Sequence, residues 1–269
     1  MKPKQLILLI LLLLSVGILF FAIQSKEQGP FLSLMRIPDK VQLIQAKPRV
    51  IPILLYHYVE YVTDERDTNR KSLNIEPHIF EQQIETLRGA GYTFITPKDI
   101  PVVLKDYSDT RYVILSFDDG YRSFYTSAYP ILKKQNVPAV NYLIAGMLNQ
   151  PNYLFGWQVT EMAKGGLLEV GLHGYNHQTV TSQSESVLRA NLDKGLAILE
   201  ELTGSKPVSY AYPYGVHDQK SIDVAKDLGL TNAVTIDKGN LVDPDKLYLI
   251  PRIRPGRTTG PTLLNLIAN

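Results

Sequence analysis

From Val50 onward, apolar runs of strand length alternate with stretches whose apolar residues recur every three or four positions. The runs are VIPILLYH, YTFIT, YVILSF, AVNYLIA, LLEVGLH, VSYAY, NAVTI and LYLIPRI. Between them the pattern predicts helices near 77–89, 98–104, 124–135, 159–164, 185–202 and 219–228. In the long one, Leu188, Leu192, Leu196, Leu199 and Leu202 share a face, Ser184 is placed to cap the start, and Gly204 ends it. In the first, Pro77 opens a helix that turns Phe80, Ile84 and Leu87 to one side, and Gly89 and Gly91 stop it. Strand-then-helix repetition of this kind gives βαβ units and a parallel sheet. The number of units favours an α/β fold of the (β/α) barrel type, incomplete or distorted, over an open doubly wound sheet. In either architecture ligands sit at the C-terminal ends of the strands.

The first residues follow a different pattern. Lys2 and Lys4 precede a charge-free apolar run from Leu6 to Ile23, about the length that crosses a hydrocarbon core as a helix. The run ends without a small-residue cleavage pattern, so residues 1–25 are expected to form an N-terminal transmembrane helix that anchors the chain to a bacterial membrane. The flanking lysines place the remainder outside the cytoplasm, and cleavage of the segment would leave a secreted protein. Residues 26–49, with Pro30, Pro38 and Pro48 and no sustained period, are expected to be a linker. The folded domain is then 50–269.

Composition narrows the chemistry. Of 269 residues none is cysteine, which excludes disulfides and thiolate metal ligands. A formal net charge of +2 gives no electrostatic footprint for nucleic acid. Asp118 and Asp119 end the run YVILSF and precede Gly120, and adjacent carboxylates at a buried strand end need a cation, a proton or solvent between them. An isolated Asp-Gly pair is more often a turn or a helix cap. However, His173 and His177, two of the chain's five histidines, also follow a strand-like run. Their spacing brings both imidazoles to one ion if the loop begins a helical turn, and two histidines with one carboxylate form a three-ligand set with open positions. No G-x-S-x-G elbow points instead to a serine hydrolase.

The segments SFDDGY, HGYNH and YAYPYG resemble the first three motifs of the metal-dependent polysaccharide deacetylases, a family of carbohydrate esterases. With PILLYHYV, the chain is most similar to the circularly permuted poly-N-acetylglucosamine deacetylase branch, and the likeness spans roughly residues 50–253. The resemblance implies a barrel of the polysaccharide deacetylase type and a divalent metal ion, usually zinc, held by Asp119, His173 and His177. It implies Asp118 as the base that takes a proton from the attacking water, Tyr214 as the donor of a backbone N–H to the oxyanion, and His57 as the acid. The implied substrate is an N-acetylated polysaccharide, hydrolysed at the acetamide of its N-acetylglucosamine units.

One position departs from the family pattern: Ala211 stands where many members carry an arginine that pairs with the base. Arg252, after the last strand-like run, is expected to take over that pairing. Tyr121, Tyr153, Trp157 and Tyr175 fall in or near strand-end loops, where rings could line a sugar cleft, although such rings are commonly packing. His78 and His217 are expected to be solvated. Two other functions fit the same features: an O-acetyl esterase acting on a glycan such as xylan, and a glycan-binding module without turnover.

Overall fold

The computed structural model describes residues 45–64 and 66–268. The anchor expected over 1–25 and the linker up to residue 44 lie outside them, and among the described residues no helix is long and apolar enough to cross a membrane. The folded unit begins at Ala46 rather than at Val50. The last residues of the expected linker are tied down by distant partners, which no local pattern could reveal. Lys47 N donates to Leu104 O at 3.0 Å. The Arg49 guanidinium donates to Ser108 O at 2.9 Å and Thr110 O at 2.6 Å and pairs with Asp106 at 3.3 Å. Arg49–Val50 also pairs antiparallel with Leu241–Val242.

Eight parallel strands form the central sheet among the described residues. They are β1 (Ile53–Tyr56), β2 (Tyr92–Ile95), β3 (Arg111–Asp119), β4 (Ala139–Leu143), β5 (Leu168–Leu172), β6 (Ser209–Ala211), β7 (Asn232–Lys238) and β8 (Ile250–Arg252). Their order is β8-β7-β6-β5-β4-β3-β1, with β2 also on β3. The long β3 takes two partners in succession, β2 from Arg111 to Ile114 and β1 from Ile114 to Phe117. A parallel bridge between Leu54 and Ile253 closes β1 against the end of β8, with Leu55 N to Ile253 O and Ile253 N to Ile53 O both at 2.8 Å. The result is a near-closed parallel barrel. Covered on both faces, its strands read as continuous apolar runs, which is why periodicity located them.

Two cores follow from the two-residue period of the strands. On β3, Val113, Leu115 and Phe117 pack outward beneath the helices, while Ile114 belongs to the barrel interior with Ile53, Val140, Tyr142, Ala211, Val234 and Ile250. The outer layer is closed by α1 (Pro77–Gly89), α2 (Tyr129–Gln135), α3 (Gly156–Lys164), α4 (Glu185–Thr203), α5 (Gln219–Asp227) and α6 (Gly260–Ala268). Phe80, Ile84 and Leu87 of α1 are fully buried, as their spacing predicts. So are Leu188, Leu192, Leu196 and Leu199 of α4, each contributing roughly 2 kcal/mol of apolar transfer. Ser184 caps α4 by accepting from Val187 N, and Gly204 ends it at φ 76°. The helix expected at 159–164 starts earlier, at Gly156, because Gln158 Oε1 accepts from Phe155 N at 2.9 Å and caps the first turn. The short helix Thr68–Leu73 buries no residue and α6 lies beyond the last expected strand, so neither was anticipated.

Candidate metal centre and active site

The acidic pair is built by the way β3 ends. Strand alternation puts Ser116 and Asp118 on the interior side with Ile114. Asp119 then leaves the pleat at φ 75°, followed by Gly120 at φ 78°. The left-handed backbone at Gly120 favours glycine for the turn, and a Cβ there would also press on Leu143 Cδ2 at 2.9 Å. Aspartate tolerates the left-handed region better than most residues, yet its presence there marks a place where geometry is imposed for use. Both carboxylates are buried, at 3% and 6% exposure.

His173 continues the inward face of β5 beyond Gly171, a position where any Cβ would collide with the Tyr142 ring. Its Nδ1 lies 2.7 Å from Ala211 O, which makes Nδ1–H the donor and turns Nε2 towards the site. His173 Nε2 is 3.4 Å and His177 Nε2 3.5 Å from the same atom, Asp119 Oδ1. The three ligand atoms all lie within 4.8 Å of one another. The loop bearing His177 is not the helical turn its spacing suggested. Gly174 at φ 78° and His177 at φ 58° fold it back instead, and Asn191 of α4 pins it by accepting from Tyr175 N at 2.9 Å.

These residues fit a divalent cation. Asp119 Oδ1 is buried without a hydrogen-bond partner, although two imidazole nitrogens face it. A buried carboxylate oxygen left unpaired is costly, and a cation between oxygen and nitrogens removes that cost. The carbonyl of Ala211 behind His173 is the outer support that metal-binding histidines use to fix their ring. In the protein alone, burial lowers the His173 pKa, but the fields of Asp119 and Asp118 outweigh it and hold the ring above its ordinary value. His177 is displaced the other way by burial and by His173.

Asp118 is held by Arg252, as expected. The guanidinium donates Nη1 to Asp118 Oδ1 and Nη2 to Oδ2, both at 2.7 Å, a two-pronged pair with Arg252 only 2% exposed. Arg252 is itself aimed by Thr235 O, at 2.8 Å from Nε, and by Ser116 Oγ at 3.4 Å. Ala211 faces the same interior and offers no competing charge. Burial pushes the Asp118 pKa up, but the arginine and His173 together hold it well below the usual carboxylate range. Ser116 was legible in principle, two residues before Asp118 on the same strand face; Thr235 was not, because its backbone carbonyl carries the contact.

The remaining candidates lie around this centre. His57 follows β1, half-buried, where burial lowers its pKa and the fields of Asp118 and Asp119 oppose that shift. Tyr214 sits at φ 60°, 58% exposed, with its ring 4.5 Å from that of His177. Gly215 at φ 72° must be glycine, since a Cβ would strike Ile236. His78 is exposed and lies 3.2 Å from Tyr61 OH, away from the cluster. His217 is half-buried rather than solvated, with its ring 5.4 Å from that of Tyr212 and Nδ1 3.0 Å from Gly215 O. Tyr121 and Tyr153 are drawn together at the strand ends, with ring centres 5.2 Å apart.

Barrel and site together gather two carboxylates and two imidazoles at the C-terminal ends of β3 and β5. Residues 105–233 match the family model described as Polysaccharide deacetylase. Over that segment the chain carries a polysaccharide deacetylase family domain. The match includes Asp118, Asp119, His173, His177 and Tyr214 but neither His57 nor Arg252. A poly-beta-1,6-N-acetyl-D-glucosamine N-deacetylase of Staphylococcus aureus is 28% identical over 197 residues, 68% of each chain. The Streptococcus pyogenes deacetylase PplD, solved in complex with acetate, superposes with a TM-score of 0.75 at 28% identity, covering 82% of this chain and 99% of that one. IcaB from Ammonifex degensii superposes with a TM-score of 0.68 at 25% identity, covering 83% and 97%.

Proposed function

We propose that this protein is a cell-surface N-deacetylase that hydrolyses the acetamide of N-acetylglucosamine units in an extracellular polysaccharide. The observation that carries this reading is the convergence of Asp119, His173 and His177 on one orphaned oxygen, with Asp118 locked beside them. The named activity of the Staphylococcus aureus relative supports the amide bond and the amino-sugar substrate. The charge-free run from Leu6 to Ile23 supports attachment to a membrane, with the barrel outside the cytoplasm.

Asp119, His173 and His177 would hold the divalent ion, with zinc favoured by the two imidazoles and one carboxylate. When bound, the ion supplies Lewis acidity to the water and to the acetamide carbonyl. The protein's own groups do the rest. Asp118, kept ionised by Arg252, takes the proton of the attacking water. The left-handed turn at Tyr214 presents its backbone N–H where charge develops on the carbonyl oxygen. His57, at the end of β1 beside β3, gives a proton to the departing amine, so that a neutral amine leaves.

The test is acetate release by the full chain from β-1,6-linked N-acetylglucosamine oligomers, peptidoglycan and O-acetylated xylan, with chelator and with zinc restored. Release from the amino-sugar substrates, abolished by chelation and regained with zinc, is the expected result. Release from acetylated xylan alone would make the protein an esterase, and binding without release would make it a glycan-binding module.

A further inference from the structure

Beside the metal centre, the barrel carries a run of rings that the proposed chemistry leaves unused. Tyr121 follows Asp119 and Gly120 directly, stacks on Tyr58 at 3.8 Å between ring centres, and forms an antiparallel bridge with Tyr153. Leu154 N donates to Gly120 O at 2.9 Å and Arg122 N to Asn152 O at 2.7 Å, so the loop before α3 is docked on the loop that bears Asp119. That loop runs into α3, whose second residue is Trp157. Helix starts that follow strand ends lie on the same face of a barrel as the active site.

Trp157 is the chain's single tryptophan, and it is 59% exposed. Its ring is nearly parallel to Phe155 at 6.4 Å and 13°, and edge-on to Tyr125 at 5.5 Å and 77°. Arg122 ties this cluster to the first: its guanidinium lies 4.2 Å from the Phe155 ring centre, and its Nε donates to Tyr153 O at 3.1 Å. Tyr125 is fixed in turn by donating its hydroxyl to Glu161 at 2.9 Å, and beside these two lies a groove of about 340 Å³. An indole left open to water, yet braced on several sides, offers a flat apolar surface at little ordering cost. Its continuity with the metal centre points to the substrate chain rather than to a separate partner.

We propose that Trp157, braced by Phe155 and Tyr125, is a distal subsite on which a sugar ring of the polysaccharide stacks while another unit of the same chain occupies the metal centre. This rests on the reading of the substrate as an N-acetylglucosamine polymer. The subsite selects for chain length, because a monosaccharide at the metal centre does not reach it.

The single tryptophan makes the test direct. In the full chain, with chelator present to prevent turnover, Trp157 emission is followed while β-1,6-linked N-acetylglucosamine oligomers of increasing length are added. Emission is expected to change with long oligomers and not with the monosaccharide at equal sugar concentration. Trp157→Ala should raise KM for the polymer about 5- to 10-fold, the scale of one aromatic contact, with kcat unchanged and activity on the shortest cleaved oligomer unchanged. Trp157→Phe should restore most of the loss. Unchanged emission at saturating polymer, or an equal loss on the shortest oligomer, would overturn the subsite. If no amino-sugar oligomer releases acetate, the substrate reading fails, and the emission titration still decides whether glycan reaches Trp157.

Discussion

Replacing Arg252 with leucine isolates the ion pair at the centre of the site. Arg252 and Asp118 are 2% and 3% exposed and meet through two 2.7 Å hydrogen bonds, so the variant leaves a buried carboxylate without its hydrogen-bonded counter-charge. Two unit charges about 4 Å apart interact by about 4 kcal/mol at an effective dielectric constant near 20. Breaking a buried pair by removing one partner costs about 3–5 kcal/mol. For a domain of this size that corresponds to a fall in Tm of about 10 °C. The loss should also depend on pH. In the native protein Arg252 holds the Asp118 pKa below its unfolded value of about 3.9. The carboxylate therefore stabilises the fold above that value, and the contribution fades as pH falls through the folded pKa. Without the arginine, burial dominates and the folded pKa rises above the unfolded one. Asp118 then opposes folding at neutral pH, and proton uptake relieves it on acidification. Thermal melts of the metal-free protein between about pH 4.5 and 7.5 should show the gap between native protein and variant widest at the upper end and narrowing downwards. Adding Asp118→Asn to the variant should recover most of the lost stability. A gap below about 1 kcal/mol, or one flat across this range, would refute the argument that charge, rather than packing, is what Arg252 supplies.

Three further outcomes test other parts of the site. Asp119→Ala should weaken zinc binding at least about 100-fold in calorimetric titration, because it removes the oxygen that both imidazoles face, and acetate release should fall with it. His57→Asn should lower kcat by about 10²–10⁴ and flatten one limb of the pH–rate profile while leaving zinc affinity nearly unchanged, as suits a proton donor rather than a ligand. Gly171→Ala should destabilise the fold by about 1–3 kcal/mol in urea titration, since its methyl group is forced into the Tyr142 ring, and should disturb His173 two residues on.

The sequence by itself determined the layers and the ingredients. Doubly buried parallel strands are continuous apolar runs, and helix faces repeat at three or four residues, so β1 to β8, α1 and α4 were legible. It also showed which side chains end those strands: Asp118, Asp119, His57 and His173 each follow an apolar run, and strand ends are where a parallel barrel opens. Only the tertiary structure decided how they meet. Arg252 reaches Asp118 across 134 positions of chain because the closure of β8 against β1 brings the two ends of the barrel together, and closure is a property of the whole ring. The left-handed backbone at Asp119, His177 and Tyr214 was equally hidden, since these are not the glycines that announce such turns. Each is held there by contacts with other elements, and local propensity carries no record of a conformation that distant packing imposes.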